Sequence, residues 1–187
     1  MSTHHVMLDL ETLGTKPGCP VIAIGAAVIA PLQNYTFKDF YFDVTVNIAQ
    51  ARMDEPDPDT IAWWDKQEQE ARDQVFNNPN SIYLSEALNK FNSFLLQLKT
   101  VPEDRIIVWG KGATFDEPIL VEAMKRYELT PVWTFRDSMC FRTLAELGKM
   151  LNIPEPEFLG VRHRALDDAI HQANWARLIM ETVGIQA

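Results

Sequence analysis

A chain of 187 residues with 47% hydrophobic and 10% aromatic content is long and apolar enough to bury one sizeable core, which excludes a disordered chain and points to a single domain over residues 1–187. The formal net charge of −9 argues against a protein that grips nucleic acid through a broad basic surface, because counterion release needs many Lys and Arg contacts; it leaves room for an enzyme that meets a few phosphates through bound cations. No apolar run approaches the ~18 residues of a membrane span and the first twenty residues lack the pattern of a signal peptide, so a protein of the cytoplasm without a membrane segment is expected.

Val6 to Leu10 reads as a strand, Val21 to Ala30 as a longer apolar strand, and Phe37 to Val46, rich in aromatic and β-branched residues, as a third. Three strands in a row with short links predict an antiparallel meander. The acidic, Pro-punctuated run DEPDPDT then leads into a helix from about Thr60 to Val75. Ser81 to Leu98 is an amphipathic helix with Ser85 as its cap and Leu84, Leu88, Phe91, Leu95 and Leu98 at three- and four-residue spacing. RIIVW, residues 105–109, is a short buried strand, followed by GKGATFD and a helix through Tyr127. A short strand at Val132 to Phe135 precedes helices over about Cys140 to Leu151 and Ala165 to Val183. Strands first and alternating strands and helices later make an α/β layer architecture with a mixed sheet. Cys19 and Cys140 lie far apart in no Cys-x-x-Cys or Cys/His cluster and read as thiols.

Because side chains alternate along a strand, Asp9 and Glu11 project side by side with Met7, away from Val6, Leu8 and Leu10. Two carboxylates this close either reach solvent at the strand end or ask for a cation, since burying an unpartnered charge costs several kcal/mol. Asp116, just after strand 105–109, is either a helix cap, with Thr114 and Glu117 as a capping box, or a functional acid facing the core side with Ile119, Leu120 and Ala123. In HRALDDA, His163 falls in a loop and Asp167 or Asp168 in the first turns of the last helix. The helical wheel sets Asp168 at the margin of the apolar arc and Asp167 on the polar side with His171 and Asn174. Four carboxylates and a histidine in an α/β context suit the hard cations Mg²⁺ or Mn²⁺ and not zinc.

The residues DLETLG (Asp9 to Gly14), Phe115-Asp116 and HRALDD (His163 to Asp168) together resemble the three motifs of the DEDD 3′–5′ exonucleases with a catalytic histidine. The third motif, H-x-A-x-x-D, selects Asp168. Within that group TIAWWDKQEQEAR (60–72) and FRDSMCFRT (135–143) resemble the branch that includes exodeoxyribonuclease VIII, the phage exonuclease DexA and the ribonuclease RNase AS. One departure is the missing Asn a few residues before the second-motif Asp, where Gly112 and Ala113 stand.

The resemblance implies a ribonuclease H-like fold, a five- or six-stranded mixed sheet flanked by helices. It also implies a two-metal hydrolysis of single-stranded nucleic acid 3′ ends to 5′-mononucleotides, leaning to DNA over RNA. Asp9, Glu11, Asp116 and Asp168 would hold two Mg²⁺ or Mn²⁺ ions, His163 would act as general base, and Thr12, Leu13 and Gly14 would contact the terminal nucleotide. Trp63 and Trp64 are candidates for base stacking; adjacent helical residues point about 100° apart, so one is expected in the core and one at the substrate. Arg136, Arg142, Arg162 and Arg164 are either solvated charges or phosphate contacts. Relatives in this group often form homodimers. The competing classes are a non-catalytic nucleic-acid-binding module on the same fold and another metal-dependent phosphoesterase.

Overall fold

The structure, a computed structural model, describes residues 2–29 and 40–185. Its first three strands, β1 (Thr3–Thr12), β2 (Val21–Ile29) and β3 (Tyr41–Asn47), form the antiparallel meander predicted from the sequence, with Asp9 opposite Gly25 and Gly25 opposite Asp43. The expected strand residues Ala30 and Phe37 to Asp39 lie outside the described residues. After helices α1 (Pro58–Trp64) and α2 (Gln69–Phe76) comes a two-residue strand, β4 (Ile82–Tyr83), and then α3 (Leu84–Leu98), β5 (Arg105–Gly110) and α4 (Asp116–Arg126). The chain closes with β6 (Ser138–Cys140), α5 (Phe141–Met150) and α6 (Ala165–Thr182). The six strands form one mixed sheet in the order β4-β3-β2-β1-β5-β6, with β5 parallel to β1.

Alternation along the central strand decides the layers. Val6, Leu8 and Leu10 enter a core with Leu88, Phe91 and Leu95 of α3 and with Ile119, Leu120 and Met124 of α4. Met7 enters the opposite core with Phe141 of α5 and Trp175 and Ile179 of α6. A strand covered on both faces has no polar side to show, which is why β2 reads as a nearly unbroken apolar run.

Three local expectations are corrected. The single helix over Thr60 to Val75 is two helices: α1 starts earlier, with Asp57 accepting from the Asp59 amide and Pro58 at the first position, and ends where Lys66 and Gln67 bond back to Trp63 and Trp64. Buried Trp64 anchors α1 and buried Ala71 and Val75 anchor α2, so each helix answers to its own contact. The strand expected at Val132 to Phe135 is absent. There Thr134 and Asp137 cap each other around a 3₁₀ turn, Phe135–Asp137, and the pairing strand begins at Ser138. Ser85 is no cap; α3 begins one residue before it, from Tyr83 in extended conformation.

One contact sets where α6 lies. A Cβ at Gly25 would come within 2.2 Å of the Ala165 carbonyl carbon and 2.3 Å of the Leu166 nitrogen, so the first turn of α6 rests directly on the backbone of β2. Backbone cannot yield as a side-chain tip can. We expect Gly25→Ala to lower unfolding stability by about 1–3 kcal/mol, read from urea denaturation, as the start of α6 is pushed off the sheet.

Candidate functional site

Asp9 and Glu11 leave β1 on the face that α6 covers. Asp168 and Gln172, one turn apart on α6, meet them: the Gln172 amide Nε2 donates to Asp9 Oδ1 at 2.7 Å, and oxygens of Asp9, Glu11 and Asp168 all lie within 4.8 Å of one another. Asp116 comes from the neighbouring strand's exit. Strand pairing between β1 and β5 ends at Met7 and Trp109. Beyond it, the Leu10 amide donates to Asp116 Oδ1 at 3.2 Å and the Lys111 amide to Oδ2 at 2.9 Å. Asp116 is thus the first residue of α4 and not part of a Thr114–Glu117 capping box; Glu117 instead accepts from Trp133 and Ser138. Gly110 leaves the space, since a Cβ there would sit 3.2 Å from the Asp116 Cβ.

His163 stands in the left-handed region at φ 64°, which turns the chain so that its own amide donates to Asp168 Oδ2 at 2.8 Å. Its ring meets Trp63 edge to face at 4.9 Å. Asp167 takes a different part from the polar one its wheel position predicted: nearly buried, it accepts from the Val161 amide and from Arg164, and holds the 160–164 loop from beneath. The two tryptophans separate as their angular spacing predicts. Trp64 is buried with its indole N–H donating to the Thr12 carbonyl at 2.9 Å, while Trp63 is 41% exposed.

Asp9, Glu11, Trp63, Trp64, Asp116, His163 and Asp168 line one cleft of about 830 Å³. Thr12 and Gly14 line it too, but the Leu13 side chain is packed in a core with Ile22, Trp64 and Ala165. Of the four arginines only Arg142 reaches the cleft; Arg136 lies over Phe135, Arg162 over Phe158, and Arg164 is paired with Asp43 and Asp167. Sequence reading missed Gln172, although it sits four residues after Asp168 on the same helical face. It also missed Lys111, Asp57 and Asp59, for which the sequence carries no signal beyond proximity to motifs.

The electrostatics ask for positive charge. Burial, then the charges of Asp116, Glu11 and Asp168, push the Asp9 carboxyl well above the usual range, with the Gln172 amide pulling the other way. Burial, Asp168 and Asp116 push Glu11 up to about 8. Burial raises Asp116 to about 6 against the opposing Leu10 and Lys111 amides, and raises Asp168 against the amide of His163. Among the described residues none of the four makes an ion pair. Clustered hard oxygen donors that no ion pair neutralises fit a divalent metal ion.

Residues 4–180 match the model of the 3′–5′ exoribonuclease Rv2179c-like domain. The chain belongs to that family. It is a 3′–5′ exonuclease that acts on nucleic acid. Solved structures share its ribonuclease H-like fold at low identity. The nuclease domain of 3′hExo, a DEDDh family member bound to rAMP, has a TM-score of 0.62 at 15% identity, over 98% of this chain and 94% of that one. Escherichia coli Exonuclease I in complex with a dT13 oligonucleotide has a TM-score of 0.62 at 16% identity, over 96% of this chain and 41% of that one. A 3′-exonuclease recognising the histone mRNA stem-loop has a TM-score of 0.59 at 16% identity, over 98% and 65%. No curated protein matches the sequence. No helix among the described residues is long and apolar enough to cross a membrane.

For this exonuclease the raised carboxyls fix how metal-free stability depends on pH. Glu11 keeps its proton in the folded chain up to about 8 but loses it near 4.5 when unfolded. Its contribution is therefore whole below 4.5 and lost as pH rises through about 8; Asp116, at about 6 against 3.8, has the same sign over a lower window. We expect the Tm of metal-stripped protein to fall by roughly 5 °C or more between those limits, and Mn²⁺ to restore most of the loss at the alkaline end, both read by differential scanning fluorimetry.

Proposed function

We propose that residues 1–187 act as one exonuclease domain that removes 5′-mononucleotides from the 3′ end of single-stranded nucleic acid with the help of two divalent ions, Mg²⁺ or Mn²⁺. The observation that carries the reading is the meeting of three carboxylates within 4.8 Å in a cleft that also holds Asp116, His163 and Trp63. Two such ions supply a water nucleophile and neutralise charge on the leaving oxygen. Asp9, central in the cluster, would contact both; Glu11 and Asp168 would serve one and Asp116 the other. Gln172 orients Asp9 through its amide.

His163 takes the proton of the attacking water as general base. The hydrogen bond that its backbone amide donates to Asp168 ties base and ligand into one six-residue segment, and the edge contact with Trp63 limits where the ring can swing. Trp63, being exposed, is the residue of the tryptophan pair that stacks on the terminal base. Thr12 and Gly14 face the same nucleotide, and Leu13 contributes by fixing their backbone from within the core.

Two observations bear on the sugar. Resemblance to the exodeoxyribonuclease branch weighs for DNA, whereas the family description, which spans residues 4–180, names an exoribonuclease. The longer match carries the proposal to RNA. Assembly as a homodimer belongs to the same reading on resemblance alone.

The test is degradation of 5′-labelled single-stranded RNA and DNA of equal sequence in Mg²⁺, Mn²⁺ or EDTA. We expect a ladder shortening from the 3′ end, faster on RNA, lost in EDTA and reduced at least about 10³-fold by Asp9→Asn. His163→Asn should lower kcat about 10²- to 10⁴-fold. Intact substrate in every lane from folded, metal-loaded protein would move the assignment to a binding module.

A further inference from the structure

Charge is segregated across the cleft. The bank built on α1 offers Trp63, Asp57 and Asp59, and no cation lines it; the opposite bank, where β5 ends and α5 begins, offers Lys111 and Arg142. Cations are scarce in this chain, 17 against 26 acids, and many are already spoken for: Arg105 pairs with Asp137, Arg126 with Asp54 and Arg164 with Asp43. Among the described residues Lys111 and Arg142 make no ion pair.

The local backbone holds these two together. Arg142 Nη2 donates to the Lys111 carbonyl at 3.2 Å, which uses one of the five donors of its guanidinium and leaves the rest of the fork unassigned. Gly112, at φ 138°, turns the chain between Lys111 and α4 in a conformation that side chains rarely adopt, and a Cβ there would touch that guanidinium at 3.6 Å. The Lys111 amide meanwhile binds Asp116, so its main chain is fixed while its side chain is free, and its positive charge is felt at Asp116 and Asp168. Both cations line the same cleft, and an anion that meets both offsets charge that no ion pair neutralises. A phosphate matches both: Arg offers a planar fork and Lys a point charge.

On the exonuclease reading above, we infer that Lys111 and Arg142 hold the backbone phosphate on the 5′ side of the scissile bond, with the 3′-terminal nucleoside on the opposite bank against Trp63. The acidic α1 bank repels phosphate and accepts a base and sugar; the cationic bank does the reverse. The charge pattern therefore sets the direction in which a strand lies across the carboxylates.

The test compares a pentanucleotide with a dinucleoside monophosphate, which has a scissile phosphate and none upstream. Wild type, Lys111→Ala, Arg142→Ala, the double variant and Arg136→Ala, which removes one charge outside the cleft, are assayed over a salt series. We expect the double variant to lose about tenfold or more in kcat/KM on the pentanucleotide and at most about twofold on the dinucleotide. Its log–log salt slope should be shallower by about 0.7, one single-strand phosphate contact's worth. Lys111→Arg should retain most of the wild-type value, and Mn²⁺ affinity of the double variant should stay within about twofold. Equal loss on both substrates, an unchanged salt slope, or a matching loss in Arg136→Ala overturns the inference. Fluorescence anisotropy of a labelled pentanucleotide in Ca²⁺ reads the same contacts without turnover. Failure of wild type to shorten any substrate counts against the exonuclease reading, while weaker anisotropy binding by the double variant still supports the phosphate contact.

Discussion

Four carboxylates brought into one cleft repel one another, and the burial of Glu11 and Asp116 strengthens that repulsion by removing the water that would screen it. Elsewhere the same chain buries an acid without strain. Asp104, only 2% exposed, accepts from the amides of Ser2, Thr100 and Val101 and from the Thr100 hydroxyl, and these bonds hold its carboxyl well below the usual range. The cluster behaves in the opposite way. Its backbone donors, from Leu10, Lys111 and His163, and the amide of Gln172 oppose the upward shift of the acids they reach without cancelling it. A purely structural acid resembles Asp104, whereas a set left short of positive charge is a site prepared to receive it.

The rest of the fold serves that convergence. β1 sits inside the sheet between an antiparallel and a parallel neighbour, so its position is fixed from both edges. Gly25 lets α6 rest on β2 and carry Asp168 and Gln172 to Asp9, and Gly110 leaves room for Asp116 at the start of α4. The 160–164 loop, held from below by Asp167, returns His163 to the edge of the same cleft. Trp64, bonded to the Thr12 carbonyl, anchors α1 and so sets the bank on which Trp63 stands. The four carboxylates come from three elements, β1, α4 and α6, and a small displacement of any one of these would separate them.

The meander of β1 to β3, the side-by-side projection of Asp9 and Glu11, and the buried stripe of α3 were all legible because they depend on periods of two and 3.6 residues within one segment. The choice of Asp168 over Asp167 rested on its wheel position and its motif, but the burial of Asp167 was not legible, since the loop above it is placed by tertiary contacts. The break between α1 and α2 follows from separate anchors, Trp64 and Val75, that no window along the chain distinguishes. β6 begins three residues beyond the end of the expected strand's apolar centre because the reciprocal caps of Thr134 and Asp137 spend Phe135 on a turn. Lys111 stayed hidden for a related reason: its importance comes from the company of Arg142, thirty-one residues away.

Diffraction from crystals grown with Mn²⁺ and a 5′-nucleoside monophosphate, recorded at the manganese absorption edge, tests the central claim most directly. Two anomalous peaks about 4 Å apart are expected, with Asp9 in contact with both and Glu11, Asp116 and Asp168 completing the ligand set. Full occupancy by nucleotide with no anomalous peak at these carboxylates, or peaks held only by other residues, would contradict it.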